Sequence, residues 1–278
     1  MPELPDLEAV KAVLTARILG QPIAAVEVRL PLMVRNLTTG DFAAALTGRH
    51  FTAVDRRGKH LILTLDDGLC LVINPMLAGR LYYVPHLEKM RAKTHLVIHL
   101  ADGMDLRYVD QKTMGKVYLT DDLARVPAFT DQGPEALEIG LDEFRARLKR
   151  HPGEIKGILT NAAFVAGIGN AYADEILWRA HLYPFRKRPS LADEEVAALY
   201  AAMRATLLDA VAVVRERMGE RTELEIRDFL YVHGKGGEPC PRCGAPISEI
   251  TANQRITDFC RQCQPGALVD TWRKRAPG

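Results

Sequence analysis

Along the first 120 positions, apolar and polar residues alternate in short runs: IAAVEVRL, HLILTL, LCLVIN, GRLYYV, THLVIHL, LRYVD and GKVYLT. A period of two sets one face of a strand on a core, and the DDG and ADG tripeptides between runs are hairpin punctuation. The pattern predicts many short antiparallel strands in a β-sandwich or flattened barrel. One helix precedes them. PDLEAVKAVLTARILG places Leu7, Val10, Leu14 and Ile18 at helical spacing, with Pro5 just before and Gly20 as the stop. No βαβ alternation and no glycine fingerprint for phosphate is present.

Beyond DDLARVPAFTDQGP the period becomes helical: LDEFRARLKR, GEIKGILTN, NAYADEILWRAHL, then the alanine-rich LADEEVAALYAAMRATLLDAVAVVRERM. The organisation expected is α+β and multidomain. An N-terminal β-sandwich catalytic domain with flanking helices covers 1–121, a linker 122–134, and a helical domain 135–235. A small cysteine module covers 236–267, and a basic tail at 268–278 is expected to be disordered.

At 278 residues, 47% hydrophobic and 26% charged, the chain is long enough to bury more than one core. MPELPDLEAV has no basic start leading into an apolar run, and the sequence shows no apolar stretch of about 20 residues, so neither export nor a membrane is expected. A reducing, cytoplasmic setting follows, in which clustered cysteines hold metal rather than disulfides.

Four of the five cysteines lie in PCPRCGAPISEITANQRITDFCRQCQP. Cys240 and Cys243 form one CxxC, Cys260 and Cys263 a second. Two such knuckles can close a tetrahedral S4 site, which suits one structural Zn²⁺ and leaves no open coordination position. The intervening residues read strand, turn, strand, with Arg255 near the tip; a planar guanidinium held there suits a phosphate. Cys70, in an apolar strand, is expected to be a buried small hydrophobe.

The net charge of +2 says little. Its distribution says more, because 145–188 carries nine Lys/Arg against three acids, and DRRGKH adds further positives. That pattern predicts a basic face for an acidic polymer. In VAGIGNAYADEILW two glycines make a permissive turn, and Asn170 stands where an N-cap is expected, opening an anion site at a helix start.

Taken together, PELPDLEAV, RRGKH, LRYVDQKTMG, QGPEAL, VAGIGNAYADE and the paired CxxC ribbon with RxTxxC resemble the formamidopyrimidine-DNA glycosylase and endonuclease VIII family, over about 265 residues in order. The resemblance implies a β-sandwich, a helix–two-turn–helix domain and a zinc ribbon. It also implies base excision repair of double-stranded DNA, with damaged-base removal and strand cleavage at the abasic site by a monomer at the nucleoid. Removal of Met1 would expose the secondary amine of Pro2, which titrates at about 7.7 to 8.0 as α-amino groups do. That amine would attack the sugar C1′ to give an iminium, and Glu3 would handle protons at the sugar. Lys59 would contact the phosphate beside the lesion. Lys156, Asn170 and Arg255 would hold flanking phosphates. The lesion must leave the stack to reach a nucleophile fixed at the terminus.

Two stretches depart from the family wording. In NPMLAG, Asn74 takes the place of a phosphate-contacting histidine and Leu77 that of a wedge methionine. In DQKTMG, Lys112 and Met114 replace arginine and phenylalanine. Leu77 and Met114 can still wedge apolar bulk into the stack, and Lys112 is the weaker mimic of a planar arginine at the orphaned base. MGERTELEIRDF also lacks the family's lesion-capping wording. The implied substrate is an oxidised or ring-opened purine. The alternatives are an oxidised pyrimidine, or non-catalytic binding of damaged DNA.

Overall fold

The computed structural model describes residues 1–252 and 255–266, so the expected basic tail at 268–278 lies outside the described residues. The chain divides into two compact units. The first comprises Met1–Glu138, Ala162–Ile168 and Leu207–Asp228. The second begins with Ile139–Asn161 and Gly169–Thr206 and continues from Phe229.

The first unit opens with α1 (Leu4–Ile18), in which Leu7, Val10, Leu14 and Ile18 are all buried, as their spacing requires. The helix begins before Pro5 rather than after it. Proline is tolerated in a first turn, where its missing N–H would find no helical partner anyway. Fifteen residues are marginal as an isolated helix, so α1 stands on burial of this face. The strands are β1 (Ile23–Val28), β2 (Val34–Asn36), β3 (Phe51–Arg57), β4 (His60–Leu65), β5 (Cys70–Asn74), β6 (Gly79–Pro85), β7 (Thr94–Leu100), β8 (Met104–Asp110) and β9 (Lys116–Thr120), with a short α2 (Phe42–Leu46) before β3. They form a four-stranded sheet in the order β1-β7-β8-β6 and a five-stranded sheet in the order β2-β9-β5-β4-β3. Leu63, Leu71, Ile73 and Val117 of one sheet and Val97, Leu100 and Leu106 of the other are buried in the core.

β3 escapes sequence reading because a bulge between Phe51 and Ala53 breaks its alternation, leaving Phe51 and Val54 buried three apart. Within 122–134, Val126 and Phe129 pack with Ile62 and Val72. Cys70 is half-buried rather than buried, because it starts β5 beside the exposed turn at Asp66–Gly68.

The second unit contains α3 (Leu141–Lys149), α4 (Ile155–Leu159), α5 (Asn170–Arg179) and the antiparallel ribbon β10 (Ser248–Ala252) with β11 (Arg255–Phe259). α6 (Asp193–Met218) contributes its first half to this unit and its second half to the other. By length and composition α6 could cross a membrane, which corrects the reading that no such segment exists. Its buried residues Val196, Leu199, Met203, Leu207, Ala210, Val214 and Met218 recur every three or four positions. That is the single apolar stripe of a helix packed on protein; alanine on the remaining faces raises the hydropathy.

Candidate active site and nucleic-acid interface

The N-terminus is held from several sides within the first unit. Glu3, 2% exposed, is the N-cap of α1 and forms a capping box with Asp6, whose Oδ2 accepts from the Glu3 amide at 2.8 Å. The Leu4 amide donates to the Gly167 carbonyl at 3.0 Å. Gly167 has φ +99, and a Cβ there would lie 2.9 Å from Leu4 Cδ1, so only glycine lets the GIGN turn approach the start of α1. Arg227 donates to both Asp6 oxygens, at 2.8 and 2.5 Å. The Met1 ammonium pairs with Glu225 at 3.1 Å, and Arg80 bonds the other oxygen of Glu225. Burial pushes the Glu225 carboxyl up, but Arg80, the terminal ammonium and Arg227 together hold it below its ordinary value. Pro2 lines a narrow cleft whose walls include Asp6, Leu7, Leu81, Tyr108, Thr222 and Glu225. With Met1 attached, the Pro2 nitrogen is an amide; removal of Met1 would leave it a secondary amine in the wall of this cleft.

Lys59 sits in the two-residue turn joining β3 to β4, after Gly58 at φ +55. Glu135 fixes that turn. Its carboxylate accepts from Arg56 at 2.5 Å, Arg57 at 2.9 Å and the Gly58 amide at 2.7 Å. Arg57 also donates to the Gln132 and Gly133 carbonyls. Two of the positives assigned to the basic face, Arg56 and Arg57, are therefore spent on Glu135. Glu135 lies in QGPEAL, a stretch carrying no chemical signal of its own in the sequence.

Leu77 and Met114 come together on neighbouring turns. β5 pairs with β9 at Asn74–Lys116, and β6 pairs with β8 at Gly79–Asp110, so the turns 75–78 and 111–115 share one end of the sandwich. Met76, Leu77 and Met114 are among the exposed large hydrophobic residues, at 38%, 48% and 44%. Lys112 is exposed beside Met114. Apolar tips left in water are costly unless something covers them, and a base stack suits that role. Asp110, fully buried, builds the second turn by accepting from the amides of Lys112 (2.9 Å), Met114 (2.9 Å) and Gly115 (2.7 Å). Asn74 builds the first. Its Oδ1 accepts from the Met76 amide at 3.1 Å and its Nδ2 donates to His60 Nε2 at 3.0 Å. Burial lowers the His60 pKa, favouring the neutral ring, which has one nitrogen able to accept. Tyr108 lies behind both turns: a Cβ on Gly79 or Gly115 would sit 2.3 or 1.8 Å from its hydroxyl. Burial, then the Asp110 charge, raises the Tyr108 pKa and keeps the phenol neutral. Asp110 and Tyr108 were invisible as site builders because both read as ordinary strand residues of LRYVD.

In the second unit, Lys156, Asn170 and Arg255 gather at the ribbon. Lys156 Nζ bonds Asp174 Oδ1 at 2.6 Å, the Ile256 carbonyl at 2.8 Å and Thr257 Oγ1 at 2.8 Å. The Lys156 ammonium is thus held within the second unit by two hydrogen bonds and one ion pair. Asn170 Nδ2 donates to the same Ile256 carbonyl at 2.7 Å. Gly169 is the N-cap of α5 and Asn170 its first helical residue, one position from the expectation. A glycine needs no side-chain bond there, which frees the Asn170 amide to reach the ribbon. Arg255, next to Ile256, is exposed on the first residue of β11.

The four cysteines converge. Cys240 and Cys263 sulfurs lie 3.9 Å apart and those of Cys243 and Cys260 3.5 Å, with all four within 4.8 Å of one another. Sulfurs about 2.3 Å from a tetrahedral zinc stand about 3.8 Å from each other, so the set fits that ion. Burial raises the Cys240 thiol, but amide donors, Arg242 first, bring it down to about 6, toward the thiolate a metal requires. The knuckles pack on Trp178 of α5 with Val232 and Ile247, and Arg242 lies 3.9 Å over the indole.

Comparison with known proteins defines the class. Residues 1–117 match the formamidopyrimidine-DNA glycosylase N-terminal domain, 132–221 its H2TH domain, and 237–266 a zinc finger found in FPG and IleRS. The formamidopyrimidine-DNA glycosylase of Heliobacterium modesticaldum is 40% identical over 95% of this chain and 100% of its own. That of Symbiobacterium thermophilum is 38% identical over 95% and 90%. Among solved structures, Lactococcus lactis Fpg bound to DNA containing N7-benzyl-Fapy-dG superposes with a TM-score of 0.86 at 31% identity, covering 95% of this chain and 100% of that one. Thermus thermophilus MutM (Fpg) gives 0.84 at 31%, covering 96% and 100%. These are DNA-repair enzymes built from a β-sandwich, a helix–two-turn–helix module and a cysteine ribbon. The chain belongs to the formamidopyrimidine-DNA glycosylase family, and as such is an enzyme with glycosylase and AP-lyase activity.

Proposed function

We propose that this protein removes oxidised or ring-opened purines from double-stranded DNA and then cleaves the strand by β,δ-elimination. The observation that carries the reading is Pro2 in the wall of the narrow cleft, with the buried Glu3 beside it. Once Met1 is gone, the neutral Pro2 amine attacks C1′, the glycosidic bond breaks, and the base leaves with its electron pair. Glu3, next to the nucleophile, protonates the ring oxygen as the C1′–O4′ bond breaks and the Pro2 nitrogen gives up its N–H proton, which leaves the iminium. A secondary amine gives an iminium with no N–H to lose, so it remains an electron sink while the C2′ proton and then the phosphates depart. Lys59, on the turn set by Glu135, places the sugar phosphate. Cys240, Cys243, Cys260 and Cys263 would hold a zinc ion, which would supply structure rather than chemistry. Purine preference is supported by relatives such as L. lactis Fpg, solved with Fapy-dG DNA. Lys112, Leu77 and Met114 set this chain's own preference at the wedge turns.

The test is borohydride trapping on abasic duplex, followed by single-turnover excision of formamidopyrimidine, 8-oxoguanine and thymine glycol. A covalent adduct with faster purine release is expected. Duplex binding without an adduct would leave a binding protein, and faster thymine glycol release would move the substrate to oxidised pyrimidines.

A further inference from the structure

At the far end of the β6–β8 ladder from the wedge turns, three ligating atoms meet. His86 follows β6, His99 is in β7 and Asp105 in β8. His86 Nδ1 lies 3.0 Å from His99 Nδ1 and 3.2 Å from Asp105 Oδ1, and His99 Nδ1 lies 2.7 Å from that same oxygen. Hydrogen bonding alone serves this triangle poorly. An ionised carboxylate only accepts, so each Nδ1 must carry a proton to bond it. Two protonated nitrogens then oppose each other across 3.0 Å. A cation bound by all three atoms removes the conflict.

We infer that His86, His99 and Asp105 form a second metal site, for a divalent transition ion that favours imidazole and carboxylate over thiolate. Ligands about 2.1 Å from an ion stand about 3.0 Å apart when cis on an octahedron and about 3.4 Å apart on a tetrahedron. The observed 2.7, 3.0 and 3.2 Å match one octahedral face. Two imidazoles and one carboxylate are the donor set of facial divalent sites that keep open positions for water. The surroundings orient the ligands as metal sites require. Arg107, 2% exposed, holds Asp105 Oδ2 through Nε at 2.9 Å, leaving Oδ1 for the ion. Glu27 Oε1 lies 3.4 Å from His99 Nε2, the nitrogen facing away from the cluster. His86 is exposed, so the ion exchanges with solvent.

Filling the site ties the segment after β6 to β7 and β8, and β6 and β8 also carry the wedge turns at Gly79 and Asp110. The role assigned is a stabilising clamp on that sheet. The test uses the full-length protein with its ribbon metal retained, titrated with Co²⁺ at neutral pH. One added equivalent should bind with weak d–d bands, no thiolate charge-transfer band and no displaced zinc, and thermal unfolding should move upward. His86→Ala should weaken this binding by at least about tenfold, since loss of an outer-shell partner alone costs 10–100-fold. His99→Ala should abolish it, and His151→Ala should leave it unchanged. Because His86 is exposed, its variant decides the matter even if His99→Ala folds poorly. No second equivalent in the wild type, undiminished binding in His86→Ala, or cobalt appearing only with thiolate bands overturns the site.

Discussion

At the scale of single residues, the proposed chemistry rests on one amine and the carboxylates around it. Protein retaining Met1, verified by mass, should form no borohydride adduct, because its Pro2 nitrogen is an amide. Adduct at the normal rate would remove Pro2 from the mechanism. Glu225 gives a pH-dependent test. Its folded-state pKa is lowered, because Arg80, the terminal ammonium and Arg227 outweigh burial. A lowered acid binds fewer protons folded than unfolded. Its contribution is therefore present above the ordinary carboxylate value of 4.5 and is lost as pH falls below that value through the folded pKa. Urea midpoints of the chain that retains Met1 and of its Glu225→Gln variant should differ near neutrality and converge in acid; a constant gap would mean the carboxylate's charge is not what holds the terminus. The cysteine cluster was legible because paired CxxC spacing has few other uses, whereas Pro2 and Glu3 were singled out only through the family resemblance. Glu225, Arg227 and Glu135 were not, because a partner 77 or more positions away leaves no mark on local pattern.

At the scale of elements, the wedge turns and the ribbon are built by buried polar groups under exposed tips. Asp110→Asn puts an amide where two backbone N–H groups now converge on Oδ2, exchanging charge-assisted bonds for a clash of donors. It should cost about 3 kcal/mol in denaturant stability, from two bonds to a charged group at about 1.5 kcal/mol each. Excision from duplex DNA should fall further than lyase activity on a single-stranded abasic site, which needs no wedge; equal losses would show that the turn does not act in flipping. Cys260→Ala should release the metal, unfold the ribbon and remove most DNA affinity, with far-ultraviolet dichroism largely kept. Elemental analysis checks the first point, and full affinity in the zinc-free variant would sink the reading. Alternation and helical spacing revealed most strands and helices here. β3 was hidden by its bulge. The two wedge turns were found as departures from family wording, yet their supports at Asp110, Asn74 and Tyr108 come from pairing between strands that pattern alone cannot register.

At the scale of the whole molecule, counting basic residues overstates the charge offered to DNA. Of the nine between 145 and 188, Arg145, Arg147, Lys156 and Arg186 are paired with Asp142, Glu143, Asp174 and Glu195. Exposed pairs of this kind are worth about 0–1 kcal/mol and open readily, but Lys156 and its buried acid are not exposed. Binding against salt separates the groups. Each phosphate neutralised contributes about 0.9 to the slope of log affinity against log salt. Arg255→Ala, in the second unit, should lower that slope by about 0.9 and weaken lesion and undamaged duplex alike, since phosphate contacts carry no base identity. Lys59→Ala, in the first unit, should lower it by a similar amount while reducing single-turnover cleavage far more than affinity, because a misplaced sugar costs rate. The double variant should lose about 1.8, the sum expected when both units engage one duplex at once. Leu77→Ala should leave the slope unchanged and alter lesion preference. If the double variant loses no more slope than either single one, the two cations do not act on the same bound DNA. If Arg255→Ala shifts lesion preference at constant slope, the ribbon reads the base rather than the backbone.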